Sequence, residues 1–409
     1  MSARRGVVIA TETFHPEVGG GETQSRTLAD ALIARGYHVT LVTRRSRASS
    51  ARREQQQHLD IVRVPPTGPG RWRKWGLSLT AFPALFQASR HAEAVLVSGF
   101  RILGAPAVVA ARLRRTPCLL KGDSRGEMSG EFFRAGLAGW HLTPRSHIVR
   151  LFVGLRNRLL RRADGFVALS SEMTEEFVES AIPHTRVHQI PNGVDIERFR
   201  PADLEERMAL RQSLGLPEGP MAVYTGRLVT YKGLPLLLRA WASPRRQGGA
   251  ATLVLVGEGG ADIHACETEL RAFVREHGLE VSVRFTGAVT RVEDYLRAAD
   301  FFLFPTTDEA FGLSLVEAMA CGLPVASTAV GGIRDFLVDG RNGIVVPVGD
   351  EKALAGAIER LIARGAEVEA LGRAARQTVV SRFSHEAVAD AVVRLIESLG
   401  SLRRDGAGR

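Results

Sequence analysis

The sequence predicts an α/β protein built as two similar halves, each a parallel sheet covered by helices. Three observations carry this. Short β-branched runs alternate with helix-period segments along the whole chain, the pattern of strands joined by crossover helices. The length of 409 residues exceeds what one hydrophobic core sustains, roughly 250–300 residues. The alternation also restarts after Pro201. The expected organisation is therefore a first domain over residues 1–200, a second over 201–384, and a terminal helix with a frayed tail over 385–409.

In the first half the strand candidates are Val7–Ala10, Val39–Thr43, Val95–Ser98, Cys118–Leu120, Phe166–Leu169 and His188–Ile190. Between the first two, Glu22 to Arg35 places Leu28, Ala31, Leu32 and Ile33 at helical spacing, and Gly36 follows where a C-cap sits. The second half offers Ala222–Thr225, Thr252–Val256, Val283–Thr286, Phe301–Phe304, Pro324–Ser327 and Ile344–Val346 as strands. A helix is expected from Gly312 to Ala320, closed by Gly322 and Pro324. Pro201, Pro217 and Pro220 make Phe199 to Pro220 the expected hinge, and His385 to Leu399 reads as the terminal helix, with a polar, frayed tail from Ser401. Two such halves facing a central cleft would bind ligand at the carboxyl ends of their strands.

Composition excludes several classes. Hydrophobic residues make up 45% and charged residues 24%, which is ordinary for a globular protein. Cys118, Cys266 and Cys321 are far apart and form no CxxC, so neither a disulfide framework nor a zinc site is expected. Glu12 interrupts the apolar run after Arg4 and Arg5, and Ile102 to Ala111 is far shorter than a spanning helix. The expected location is the cytoplasm, with peripheral attachment to the inner face of the plasma membrane as an option. Net charge is +10, but residues 1–200 carry +13 and the remainder −3. Such asymmetry points to an anionic partner for the first half, or to an arginine-rich genome, since 50 Arg accompany 4 Lys. No nucleic-acid motif occurs, leaving a membrane surface or an anionic acceptor.

Three segments carry chemistry. Gly19-Gly20-Gly21-Glu22 follows the first strand and opens a helix. Glycines there admit close backbone approach to an anion at the helix N-terminus, or form a plain flexible turn. Gly226-Arg227-Leu228 and Tyr231-Lys232-Gly233 follow a strand of the second half. Two cations at a strand end can neutralise a leaving diphosphate, or can be solvated surface charges. Glu309-Ala310-Phe311-Gly312-Leu313-Ser314-Leu315-Val316-Glu317 places one carboxylate in a loop and one on a helix. Their separation is at most about 12 Å at helical rise, comparable to a donor sugar linked through its diphosphate to a ribose. The helix N-terminus between them is free to face the diphosphate. No Walker A, GxGxxG or DxD occurs.

Glu309 and Glu317 form the E-x7-E pattern, and here the sequence resembles the retaining glycosyltransferases of family 4, with their GT-B fold of two Rossmann-like domains. The resemblance extends over Phe14-His15-Pro16 with the Gly19–Glu22 loop, Pro191–Asp195, Arg227 with Lys232, Val256–Gly259, Gly287–Val289, and Gly331-Gly332-Ile333. It implies a nucleotide-sugar co-substrate, such as a UDP- or GDP-sugar, with no separate cofactor and no metal. By the same resemblance Gly20 and Gly21 approach the donor phosphates, and Arg227 and Lys232 hold them. Glu309 binds the sugar hydroxyls and Glu317 the ribose. Val289 meets the base, while Phe311, Gly312, Leu313 and Ser314 line the phosphate–sugar region. Pro191–Asp195 shapes the domain junction.

One departure stands out. Members of the family often carry a His after the strand that here ends at Leu120. This chain reads Lys121-Gly122-Asp123-Ser124-Arg125-Gly126-Glu127, so Asp123 becomes the candidate at that position. The resemblance implies transfer to an acceptor hydroxyl with retention, in cell-envelope or exopolysaccharide glycan synthesis; the acceptor is a glycan, a lipid-linked sugar or a small molecule. Two rival readings are a sugar-nucleotide epimerase of the same architecture and a non-catalytic protein that binds a membrane surface. The basic, aromatic run Arg71-Trp72-Arg73-Lys74-Trp75 and the segment Arg145 to Arg162, which mixes apolar residues with six arginines, are candidates for an anionic membrane, or an ordinary solvated loop and amphipathic helix.

Overall fold

The computed structural model describes residues 5–17, 19–68, 71–130, 146–243, 251–260 and 262–407. The chain forms two compact units, one of residues 1–193 with 385–409 and one of residues 194–384.

Unit 1 starts with β1 (Gly6–Thr11), α1 (Gly20–Ala34), β2 (His38–Arg44), β3 (Arg53–Gln56) and β4 (Leu59–Val64). It continues through α2 (Arg71–Ala88), β5 (Ala92–Ser98), α3 (Phe100–Arg114), β6 (Cys118–Lys121), α4 (His147–Leu160), β7 (Gly165–Ala168), α5 (Ser171–Glu179) and β8 (Val187–Gln189). The sheet order is β3-β4-β2-β1-β5-β6-β7-β8. Pairing is parallel except for β3, which runs antiparallel to β4 at the edge. The inner strands are buried on both faces, as the runs Val7–Ala10 and Val95–Val97 show, which is the state of a parallel sheet flanked by helices.

Unit 2 contains α6 (Leu204–Ser213), β9 (Met221–Thr225), α7 (Leu234–Trp241), β10 (Thr252–Val256), α8 (Glu267–Glu276) and β11 (Val283–Gly287). After these come α9 (Val292–Ala298), β12 (Phe301–Phe304), α10 (Leu313–Ala320), β13 (Val325–Thr328), β14 (Ile344–Val346), α11 (Glu351–Ala363) and α12 (Ala366–Arg382). The sheet order is β11-β10-β9-β12-β13-β14, all parallel. The order reverses at β9, which lies between β10 and β12. Ligand crevices in open α/β sheets form at such switch points, outside the strands' carboxyl ends.

The last helix, α13 (His385–Ala407), returns to unit 1. Its Val392, Leu395 and Ile396 join a core cluster with Ile9, Leu32, Leu41 and Leu96. The helical stripe of apolar residues could not be buried otherwise. The terminal helix is therefore part of the first unit rather than an appendage, and it extends to Ala407 where a frayed tail was expected from Ser401.

The expected hinge at Phe199–Pro220 is also corrected. Asp203 caps α6 by accepting the Glu206 N–H at 2.8 Å. Buried Arg211 then fastens that helix to the sheet, donating to Ala298 O at 2.8 Å and Asp300 Oδ2 at 2.8 Å. The prolines flank this helix instead of loosening the chain, and the unit boundary lies at Gly193/Val194 rather than after residue 200.

Candidate functional site

In unit 2 the functional candidates gather at the carboxyl ends of β9 and β12. The loop after β9 carries Arg227 and Lys232, and the loop after β12 carries Glu309. The two loops are tied through one carbonyl: Tyr231 O accepts from Thr307 N at 2.8 Å and from the hydroxyls of Thr306 and Thr307 at 3.1 Å each. Gly233 makes the approach possible. Its φ is +72°, and a Cβ there would fall inside the Pro305 carbonyl oxygen. With the backbones pressed together, Lys232 Nζ forms an ion pair with Glu309 Oε2, both side chains being largely buried. The Lys232 ammonium also lies 5.3 Å from the Phe304 ring centroid, an attractive placement for a cation.

Arg227 is held from two sides. One guanidinium nitrogen pairs with Asp262 and the other donates to the Tyr231 hydroxyl at 2.5 Å. Its carbonyl accepts the Tyr224 hydroxyl at 2.8 Å. The sequence had singled out the cations but not Asp262, which lies in a turn without a motif.

Gly312, in the left-handed region at φ +95°, opens α10, and no side chain caps that N-terminus. Leu313 and Ser314 form its first turn, half-buried. Phe311 is different: its ring packs against Phe336 and Phe383 at 5.8 and 5.5 Å and is buried. That ring belongs to the unit's core, so Phe311 would shape the lining from behind. Val289 lies half-buried in the loop after β11. Glu317 sits within α10, its carboxyl pushed up to about 8 by burial. The Arg198 guanidinium opposes this shift and Glu293 adds to it, while Arg198 itself donates to Glu293 at 2.8 Å.

In unit 1, α1 begins at Gly20, with Gly19 as an extended N-cap. Glu22 folds back and takes the Thr13 hydroxyl, which places its carboxylate against Gly19. Asp123 Oδ2 lies 3.8 Å from where a Cβ on Gly21 would stand. Ser98 Oγ donates to Asp123 at 2.9 Å and Lys121 Nζ at 3.0 Å. Beneath it, the fully buried Glu127 accepts the backbone N–H groups of Phe100 at 2.9 Å and Asp123 at 3.1 Å. Burial pushes the Glu127 carboxyl up to about 7 against the pull of Arg101. Glu176 fixes the far side of this loop through the Gly126 and Met128 N–H groups at 2.9 and 3.2 Å. Neither support was legible as functional in the sequence, since each is a lone Glu.

Two family models match the chain: "Glycosyltransferase Family 4" over residues 18–198 and "Glycosyl transferases group 1" over residues 219–364. The D-inositol 3-phosphate glycosyltransferase of Kineococcus radiotolerans is 30% identical over 410 residues, covering 93% of this chain and 90% of that one. The chain belongs to the group 1 glycosyltransferases of family 4. A second relative, D-inositol 3-phosphate glycosyltransferase 2 of Catenulispora acidiphila, is 34% identical over 261 residues, or 60% of each chain. Among solved structures, sucrose-phosphate synthase from Thermosynechococcus elongatus superposes with a TM-score of 0.78 at 25% identity, covering 98% of this chain and all of that one. The Anabaena HepE protein in complex with UDP-glucose gives 0.74 at 20% identity over 96% of this chain and 99% of its own. These likenesses identify the two parallel-sheet units as the GT-B fold of the family.

Proposed function

We propose that this protein transfers a sugar from a nucleotide-sugar donor to an acceptor hydroxyl with retention at the anomeric carbon. The observation that carries the proposal is the Arg227–Lys232–Glu309 group at the switch point of unit 2, with Glu317 on the adjoining helix. Arg227 and Lys232 take the diphosphate, and the α10 N-terminus at Gly312, Leu313 and Ser314 adds its dipole. Glu309 accepts sugar hydroxyls, Glu317 accepts the ribose hydroxyls, and Val289 meets the base. In unit 1, Gly20, Gly21 and Asp123 are the residues we propose to act in the reaction, and Asp123 Oδ2 lies 3.8 Å from where a Cβ on Gly21 would stand.

In the step itself, the acceptor oxygen bonds to the anomeric carbon on the face the nucleotide leaves. The bond from that carbon to the phosphate oxygen breaks, and the departing phosphate takes the acceptor's proton. Positive side chains do the work a divalent metal does elsewhere, so the reaction is proposed to be metal-independent.

The relatives are named for D-inositol 3-phosphate, which makes it the first acceptor to test, ahead of lipid-linked glycans. UDP and UDP-glucose, present in the HepE complexes, are the first donors. The decisive experiment is a thermal-shift panel of nucleotides, since a ligand that binds only the folded state raises Tm. It is followed by nucleoside diphosphate release with and without acceptor. Release that depends on acceptor supports a transferase. Release without acceptor supports the epimerase reading, and no release with any donor sinks both.

A second reading concerns location. Leu151, Phe152 and Leu155 of α4 are 75%, 53% and 69% exposed, on the same helix as exposed Arg150 and Arg158. An apolar stripe beside cations favours reversible docking on the anionic inner face of a membrane. Among the described residues no helix is long and apolar enough to cross one. The Arg71–Trp75 run forms the start of α2, but its side chains lie outside the described part.

A further inference from the structure

Both candidate phosphate-binding cations of unit 2 are paired with carboxylates of the chain itself. Lys232 holds Glu309, which already has a place in the donor reading. Arg227 holds Asp262, which has none.

The Asp262 loop is built against the Arg227 loop. Leu228 N donates to Glu258 O at 3.0 Å, Cys266 N to Leu228 O at 3.0 Å, and Thr230 N to His264 O at 2.9 Å. One Asp262 oxygen accepts the His264 N–H at 3.0 Å, which fixes the carboxylate, and the other takes the guanidinium. The carboxylate is shielded, at 19% side-chain exposure, while Arg227 is 60% exposed. An anion that reaches Arg227 from solvent therefore meets a second anion already bonded to the same group. The two repel each other and share one set of donors.

We propose that Asp262 is the internal counter-anion of Arg227, displaced by the donor diphosphate and retaking the guanidinium as the nucleoside diphosphate departs. This rests on the donor reading above. Asp262 is a positioning residue: it keeps Arg227 aimed outward when the site is empty, and its charge weakens product binding so that release is faster.

The test uses the full chain with Asp262→Asn and Asp262→Ser. Both remove the charge and keep an acceptor for the His264 N–H, so either suffices if the other fails to fold. Calorimetry compares the nucleoside diphosphate that most stabilises the wild-type protein with the corresponding uncharged nucleoside. The variants should bind the diphosphate about tenfold tighter and the nucleoside with unchanged affinity. Product inhibition should strengthen in parallel, kcat should fall, and Asp262→Glu should restore the wild-type diphosphate affinity. The gain should shrink at 1 M salt, where screening is strong. Diphosphate affinity that is unchanged or weaker overturns the proposal, and so does an equal loss for both ligands, which marks a purely structural residue. Folded wild-type protein that binds no nucleoside diphosphate overturns the donor reading itself, and this proposal with it.

Discussion

Glu317 gives the sharpest prediction, because its ionisation and its proposed task conflict. A ribose with two hydroxyl groups is best held by an ionised carboxylate, which only accepts hydrogen bonds. Burial instead pushes this carboxyl up to about 8, with Arg198 opposing the shift and Glu293 reinforcing it. At pH 6 about 1% of the sites would be ionised, at pH 7 about 10%, and at pH 8 about half. Apparent Kd scales inversely with the competent fraction, so nucleoside affinity should tighten about tenfold from pH 6 to 7 and about fivefold from pH 7 to 8. The assay is calorimetry with the uncharged nucleoside, because a terminal phosphate titrates in the same window. Glu317→Gln should bind weakly with a flat pH profile.

Stability gives an independent arm. The folded-state pKa of Glu317 is raised, so its stabilising contribution is complete below the ordinary carboxylate value near 4.5 and is lost as pH rises through about 8. Glu317→Gln removes that dependence, and relative to wild type it should gain a few kcal/mol at most between pH 5 and pH 9. A wild-type nucleoside Kd that stays constant from pH 6 to 8 would refute the raised ionisation of Glu317, and Glu317→Gln binding the nucleoside as tightly as wild type at pH 8 would refute the ribose assignment.

Lys232→Ala should lower turnover about a hundredfold, in line with loss of a charge that stabilises the leaving diphosphate, and steady-state kinetics with and without EDTA should show wild-type activity surviving the chelator. Glu309→Ala should lower turnover strongly while calorimetry finds nucleoside diphosphate binding nearly intact; equal, small effects of Glu309→Ala and Glu317→Ala would count against both assignments. Gly233→Ala forces a positive φ and a clash with Pro305, so thermal denaturation should show a loss of about 3 kcal/mol or more. Sedimentation with vesicles of graded anionic content should show salt-reversible binding weakened by Leu151→Ser with Leu155→Ser, and protein that stays in the supernatant at every composition would leave a soluble transferase.

Most of the fold was legible because it is written in buried strands. All twelve apolar runs read as strands lie in the two sheets, since a strand covered on both faces must be continuously hydrophobic. The hairpin of β3 and β4 escaped notice. β3 reads Arg-Glu-Gln-Gln and is an exposed edge, so no burial marks it. The helix α6 escaped for the opposite reason: its flanking prolines outweighed a capped but polar segment whose buried residue is Arg211. Within each unit, residues named by motif lie near one another: Lys232 beside Glu309, with Arg227 in the same loop as Lys232, in unit 2, and Gly21 beside Asp123 in unit 1. What the sequence could not show is what holds them. Asp262, Ser98, Glu127 and Glu176 act through contacts with segments brought near only by the fold, and an isolated polar residue carries no periodic signal.

Asp123 is proposed to accept a sugar hydroxyl, and its surroundings say why. Ser98 and Lys121 donate to it, and the Glu127 carboxylate fixes its backbone N–H. A carboxylate so furnished is an acceptor of hydrogen bonds, with the Lys121 ammonium balancing its charge at 3.0 Å. It is placed to accept a sugar hydroxyl near Gly21. The proposed mechanism asks no proton of it, because the departing phosphate removes the acceptor's proton. With Asp123 proposed to accept a sugar hydroxyl, that hydroxyl must donate. A donor sugar deoxygenated at that hydroxyl should lose turnover with this protein, and Asp123→Ala should erase the discrimination between the two sugars. Equal turnover of both sugars by the wild-type protein would remove Asp123 from the reacting end.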